Sequence, residues 1–220
     1  MLSQVPLFAQ LPPDALDELS TRLRRRRFGR GDTVFYEGDP GAFLCIVREG
    51  RIKLALTSPE GREIIIDLLA AGDVFGELAV LDGEPRSADA VATEVSELLL
   101  LEREDFKRFL LDRPSVAVEL LSVLSRRIRR DTQLLQDAAF LDVPSRLART
   151  ILVRAEKPSS GGLAITPRLN QSDLAGLVGT TRETLNKWLG SYQDDGLIRW
   201  EKGRVTVLDE ARLRKRVHQS

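Results

Sequence analysis

The segment LNQSDLAGLVGTTRETLNKWL, residues 169–189, constrains the fold more than any other stretch of the chain, because it sets two short helical patterns of apolar residues on either side of a glycine. Leu169, Leu174, Leu177 and Val178 fall near helical spacing, and Asn170 offers a capping side chain with Asp173 three residues later. Gly179 stops this helix. A second helix begins after Thr180-Thr181, with Leu185, Trp188 and Leu189 on one face and Arg182, Glu183, Asn186 and Lys187 projecting elsewhere. The pattern predicts a helix-turn-helix, and its outward residues are types that read bases. Arginine donates a bidentate pair to guanine O6 and N7 and glutamate accepts from cytosine N4, so Arg182 and Glu183 suit a G·C-containing half-site. Thr181 at the helix start is placed to touch a phosphate. Periodicity alone leaves open a surface helical hairpin with ordinary charges. The segment LIRWEKGRVTVL, residues 197–208, weighs against that alternative, since it alternates apolar and polar about Lys202-Gly203 as a β-hairpin does. A hairpin directly after a recognition helix is a wing.

The 33 basic and 33 acidic residues cancel, so DNA binding has to arise from local clusters of Arg and Lys rather than from an overall basic field. With 220 residues and 42% apolar content the chain has ample material for packed cores, in one large or two small domains. No apolar run approaches the ~18 residues of a membrane span, and no charged-then-apolar leader opens the sequence, so a cytoplasmic protein without a membrane partner is expected. The lone Cys45 excludes an intramolecular disulfide, and with the lone His218 it leaves too few soft ligands for an iron-sulfur cluster or a typical zinc site. No nucleophile with a nearby base is visible, so an enzyme is not expected.

From about Phe28 to Leu101 the chain becomes β-rich, with TVFYE, FLCIVRE, RIKLALT, EIIIDLL and ELLLLE as candidate strands. Gly50, Gly61 and Gly72 recur every 11 residues, the turn spacing of a small barrel or sandwich. Cys45 alternates with Phe43 and Val47 and reads as a buried side chain rather than a redox group. Within this region FGELAVLDGEPRSADAV, residues 75–91, has the chemistry of a phosphate cradle. Gly76 permits close backbone approach, residues 77–81 suit one helical turn with free N–H groups, Arg86 brings charge, and Ser87 brings a hydroxyl donor. Glu77 would repel a phosphate and is suited to accept from a sugar hydroxyl. Read alone, the stretch fits a plain solvent loop equally well.

In combination, Gly76-Glu77-Leu78, Arg86-Ser87, Phe140-Leu141-Asp142-Val143 and Val178-Gly179 to Arg182-Glu183-Thr184, with turns at Gly38 and Gly50, resemble the cyclic-AMP receptor protein and fumarate-nitrate regulator family over nearly the whole chain. The resemblance implies an α+β fold: a jelly-roll-like cyclic-nucleotide-binding β-roll with flanking helices over residues 1–111, a long dimerisation helix over 112–141, and a winged helix-turn-helix over 142–220. It implies a homodimer with cyclic AMP as effector, palindromic double-stranded DNA with TGTGA-like half-sites as target, and RNA polymerase as a further partner. The nucleotide contacts it implies are Gly76, Glu77, Leu78, Ala79, Arg86, Ser87, Asp131 and Thr132. On the DNA side it implies Asn170, Gln171, Thr181, Arg182, Glu183, Thr184 and Lys187. Lys187 stands where arginine is often found and is a less selective donor.

The long helix is also legible from its own pattern, with Asp112 as cap, Pro114 in the first turn and an end near Ala139. Positions 117, 121, 124, 128, 131, 135 and 138 read Ala, Leu, Leu, Ile, Asp, Leu and Ala, a coiled-coil seam with one polar interruption. Asp131 stands where well-known members carry Thr. It either pairs with the nucleotide base, with Thr132 reaching in from the second subunit, or only fixes register. Effector-independent architectural DNA binding with a vestigial pocket is the alternative function. Arg24-Arg25-Arg26-Arg27 either protects a strand edge or touches polymerase. Arg126, Arg127, Arg129 and Arg130 read as the solvated or ion-paired face of the long helix. The turn-rich KPSSGG, residues 157–162, reads as an exposed link.

Overall fold

The computed structural model describes residues 2–156, 163–165, 169–201 and 203–217; the expectations for residues 157–162, Lys202 and His218 lie outside them. Two compact units are present, one of Met1–Leu56 with Ile66–Arg129, the other of Thr57–Ile65 with Arg130–Ser220. The first unit opens with two 3-10 turns and α1 (Pro13–Arg22). Strands β1 (Arg24–Phe28), β2 (Thr33–Phe35), β3 (Phe43–Glu49), β4 (Ile52–Thr57), β5 (Glu63–Leu69) and β6 (Val74–Phe75) come next. Helix α2 (Glu77–Asp82) then interrupts the strands before β7 (Asp89–Ala92) and β8 (Ser96–Glu102). Two antiparallel sheets result, in the orders β1-β8-β3-β6 and β2-β7-β4-β5.

The uninterrupted apolar runs of β3 and β8 have a simple cause: both faces are buried. Cys45, Val47 and Leu98 point into the core between the sheets with Phe35, Ile52, Phe75 and Ala90. Leu44, Ile46, Leu99 and Leu101 point the other way, into a second core with Phe8, Leu19, Phe106, Phe109, Val116 and Leu120 from the flanking helices. Burial pushes the Cys45 thiol far above its ordinary pKa, in keeping with a packed rather than reactive side chain. The glycines spaced by 11 sit at turns with φ of 86°, 79° and 95° for Gly50, Gly61 and Gly72.

Strand β1 is a sheet edge, pairing with β8 only, and all of Arg24 to Arg27 are exposed. Arg24 pairs with Glu102 at 3.4 Å and Arg27 with Glu97 at 3.1 Å.

Asp112 does not cap the long helix. It is the last residue of α3 (Arg103–Asp112), and α4 (Pro114–Phe140) begins after Arg113. The inner stripe of α4, Val116, Leu120 and Leu124, packs on the β-roll core. That use of Leu124 leaves an exposed apolar stripe shifted by one residue from the expected seam. Val118, Leu121, Ile128 and Leu135 are 63, 63, 65 and 71% exposed, and the heptad positions that complete them are Ser125, Thr132 and Ala139. Thr132, and not Asp131, is therefore the polar residue in line with the stripe.

In the second unit α4 ends at Phe140, and Asp142 caps α5 (Val143–Arg154) by accepting from the Ser145 amide at 3.0 Å. After β9 (Ala155–Glu156) and β10 (Ala164–Ile165) come α6 (Gln171–Val178), α7 (Arg182–Asp194), β11 (Ile198–Glu201), β12 (Arg204–Val207) and α8 (Glu210–Val217). The sheet order is β11-β12-β10-β9, and β11 and β12 form the expected wing hairpin. Leu147, Ile151, Leu174, Leu185, Leu189, Tyr192, Leu197 and Leu213 build the core. The hairpin tip Thr57–Ile65 groups with this unit: a Cβ on Gly176 of α6 would lie 2.9 Å from Ile65 Cγ1. Among the described residues, no helix is long and apolar enough to cross a membrane.

Candidate effector site and nucleic-acid interface

In the first unit the cradle forms where β6 hands over to α2. Gly76 is the N-cap of α2 with φ 74°, a left-handed conformation that suits glycine, and a Cβ there would collide with Arg86 Nη1. Glu77, 2% exposed, leads from it into the buried layer, Ala79 is buried, and Leu78 and Ser87 are exposed. Glu77 Oε1 accepts from Arg127 Nη1 at 2.5 Å, and Arg127 also donates to Val74 O. Glu77 Oε2 is buried with no hydrogen-bond partner among the described residues. Such an acceptor costs about 1–3 kcal/mol unless something donates to it.

Arg86, also 2% exposed, does not project into solvent as a plain phosphate anchor would. Its Nη1 donates to Gly76 O at 2.7 Å and its Nη2 to Phe43 O at 2.6 Å. The guanidinium carbon lies 4.1 Å from the centroid of Phe35 and 4.9 Å from that of Phe43. Burial pulls its pKa below the usual guanidinium range. Its Nε, like Glu77 Oε2, is buried without a partner among the described residues.

The structure thus brings Gly76, Glu77, Ala79 and Arg86 together and adds Arg127, which the sequence pattern places on a solvated or ion-paired face. Arg127 is ion-paired, but inward, on the cradle's own glutamate. A signal for this exists in the sequence: Arg127 continues the inner stripe of Val116, Leu120 and Leu124 at helical spacing, and a cation on that stripe needs a buried anion. Arg126 does behave as expected of the outer face, pairing with Glu119 at 3.6 Å. Asp131 and Thr132 are exposed on the part of α4 that belongs to the second unit.

The second unit carries the helix-turn-helix. Asn170 Oδ1 accepts from the Asp173 amide at 2.7 Å, and Thr181 Oγ1 from the Thr184 amide at 3.2 Å, so each helix has its N-cap. Thr181 and Thr184 hydroxyls are 3.1 Å apart. Arg182, Glu183, Asn186 and Lys187 are exposed on α7. Arg182 Nε donates to Gln171 Oε1 at 3.1 Å, so α6 supplies the group that orients the arginine. Glu183 has its carboxyl held below the usual carboxylate range by its own backbone N–H and by the Thr181 hydroxyl, which leaves it an acceptor at neutral pH. Lys187 Nζ lies 5.8 Å from the centroid of the Trp188 ring.

This pairing of cradle and winged helix is matched by known sequences. The model of the cyclic nucleotide-binding domain matches residues 25–113, and that of the Crp-like helix-turn-helix domain matches residues 145–216. Over 219 residues, 98% of each chain, the sequence is 36% identical to the CRP-like cAMP-activated global transcriptional regulator of Mycobacterium tuberculosis. The chain belongs to the Crp-like family of transcription regulators. The crystal structure of Thermus thermophilus catabolite activator protein is 34% identical, with a TM-score of 0.56 over 97% of this chain and 98% of that one. The c-di-GMP responsive global regulator CLP of Xanthomonas campestris has a TM-score of 0.79 over 90% of this chain and 100% of that one, at 24% identity, a likeness of fold alone. As a Crp-like regulator the chain combines a cyclic nucleotide-binding domain with a DNA-binding helix-turn-helix, in a family of regulators rather than enzymes.

Proposed function

We propose that the chain is a homodimeric transcription regulator that binds cyclic AMP in its β-roll and reads a palindromic DNA site with TGTGA-like half-sites, with RNA polymerase as its protein partner. The observation that carries the effector reading is the unpaired Oε2 of buried Glu77: a ribose hydroxyl is the donor this oxygen lacks, and a phosphate is the group it would repel. Gly76, Leu78, Ala79, Arg86 and Ser87 would hold the phosphate, and Asp131 with the second subunit's copy of Thr132 the base. The choice of cyclic AMP is supported by the relative of M. tuberculosis, named as cAMP-activated. Dimerisation is supported by the exposed stripe of Val118, Leu121, Ile128 and Leu135, whose 3- and 7-residue spacing is that of a coiled-coil seam.

For DNA, Arg182, Glu183 and Lys187 are the proposed base readers, Thr181 and Thr184 phosphate contacts, and Asn170 and Gln171 supports from α6. Two-fold symmetry then sets half-site centres about 34 Å apart.

One observation favours the second reading, effector-independent binding with a vestigial pocket. Arg86 already has two main-chain acceptors, so its charge is served within the protein. Calorimetric titration with cyclic AMP and cyclic GMP decides between the two. Cyclic AMP is expected to bind, and Glu77→Ala to weaken it at least about tenfold, or ~1.4 kcal/mol. Absence of binding to either nucleotide would support the vestigial pocket.

A further inference from the structure

Three guanidinium groups grip the main chain of the cradle: Arg127 donates to Val74 O, Arg86 to Gly76 O and Arg103 to Ala79 O. Arg86 and Arg127 also face the core aromatics and the buried carboxylate, respectively. Arg103 bonds to the cradle backbone at Ala79 O from α3, and its Nε, like that of Arg86, is buried without a partner among the described residues. An arginine held in this way is a poor device for stability alone, because the orphan N–H costs what the charged hydrogen bond gains.

The main chain of Arg103 supplies the second half of the observation. Its amide donates to Ala42 O at 2.9 Å, anchoring the loop between β2 and β3. That loop clasps Arg86 from behind: Gly38 N donates to Arg86 O and Arg86 N to Asp39 O, both at 2.9 Å. It also abuts α2, for a Cβ on Gly41 would lie closer to Ala79 Cβ than any side chain can sit. Arg103 therefore joins, through one residue, the loop that fixes the Arg86 backbone and the helical turn that carries Glu77, Leu78 and Ala79.

We infer that Arg103 is a positioning residue for the nucleotide phosphate: it sets residues 77–79 at a fixed distance from Arg86. The inference rests on the reading of the cradle as an effector site. Residues 77–79 lie in α2 and Arg86 in the loop after it, so a phosphate bridging them is sensitive to any slip between the two. Each of the two exocyclic phosphate oxygens then faces a different segment, and replacing one by sulfur reports on that segment's placement.

The test is calorimetry on the full-length protein and its R103M and R103K variants, using cyclic AMP and its Sp and Rp phosphorothioate analogues, with melting of each protein without nucleotide. R103M keeps the apolar stem and removes the donors. Its cyclic AMP affinity should fall about 10- to 100-fold, by analogy with the loss when the hydrogen-bond partners of metal ligands are removed, and its preference between the Sp and Rp analogues should move toward one. R103K restores a single donor and should recover part of both. A residue that only supports the fold would lower the melting temperature and leave the Sp/Rp ratio at the wild-type value, and that result overturns the inference, as does wild-type affinity in R103M. If the wild-type protein binds none of the three nucleotides, the effector reading falls first, and the role of Arg103 with it.

Discussion

Glu77 and Arg127 form an ion pair whose side chains are 3 and 18% exposed, and such pairs matter most when one partner is removed. Arg127→Met should destabilise the protein by about 3–5 kcal/mol in urea unfolding, because it leaves a buried carboxylate uncompensated, and Glu77→Gln added to it should recover most of the loss. A cost below about 1 kcal/mol for Arg127→Met would show that the carboxylate is already solvated. On the DNA side, Arg182→Ala should lose about 1–3 kcal/mol on a cognate site and relax one base position; equal loss on cognate and scrambled DNA would exclude base readout. Tyr192 gives an independent probe of the core. Its hydroxyl donates to Pro144 O at 2.8 Å, and burial raises its pKa to about 12. A raised folded value stabilises the protonated form, so this contribution is complete below about pH 10 and is lost as the pH rises to the folded value of about 12; absorbance titration of a Tyr36→Phe variant should show phenolate forming with its midpoint at about pH 12 rather than about 10. Of the cradle residues, Glu77 and Arg86 are legible in the sequence because glycine, carboxylate and guanidinium lie within one short segment. Arg127, 50 residues from Glu77, is hidden among four arginines whose facing is decided only by how α4 rolls on the β-roll.

The same roll explains which elements can be read locally. Continuous apolar runs announce β3 and β8, and caps announce α5, α6 and α7, since these signals lie within the elements themselves. The exposed apolar stripe of α4, Val118, Leu121, Ile128 and Leu135, lies one residue away from the seam read in the sequence because Val116, Leu120 and Leu124 pack on the β-roll. Ile128→Asp should turn a dimer into a monomer by sedimentation while leaving β-roll melting unchanged; an unchanged dimer would place the interface elsewhere. Helix α8 is not anticipated from the sequence, although Asp209 accepts from the Arg212 amide at 2.9 Å and Glu210 pairs with Arg214 one turn on. At the start of α5, Asp142→Ala should cost about 1 kcal/mol at pH 7. The Ser145 hydrogen bonds hold the Asp142 carboxyl below its ordinary range, so the cap contributes fully above about pH 4. Its contribution fades as the pH falls through the depressed folded value, and the gap between wild type and variant should close there.

Across the chain as a whole, the sequence is most informative where two weak signals come in a fixed order, a glycine-glutamate turn with a later arginine-serine, then a capped helix pair with a wing. Neither alone decides between a site and a loop. Net charge is uninformative, since 33 basic and 33 acidic residues cancel while α7 still presents Arg182 and Lys187. If nucleotide in the cradle governs DNA reading by the helix-turn-helix, the two must be coupled energetically, and titration of a labelled palindromic TGTGA-type duplex with the protein, with and without cyclic AMP, measures that coupling. The affinity should be at least about 100-fold higher with cyclic AMP, or ~2.7 kcal/mol of coupling, and the difference should vanish in Glu77→Ala. Equal affinity with and without nucleotide at every salt concentration would contradict the coupling.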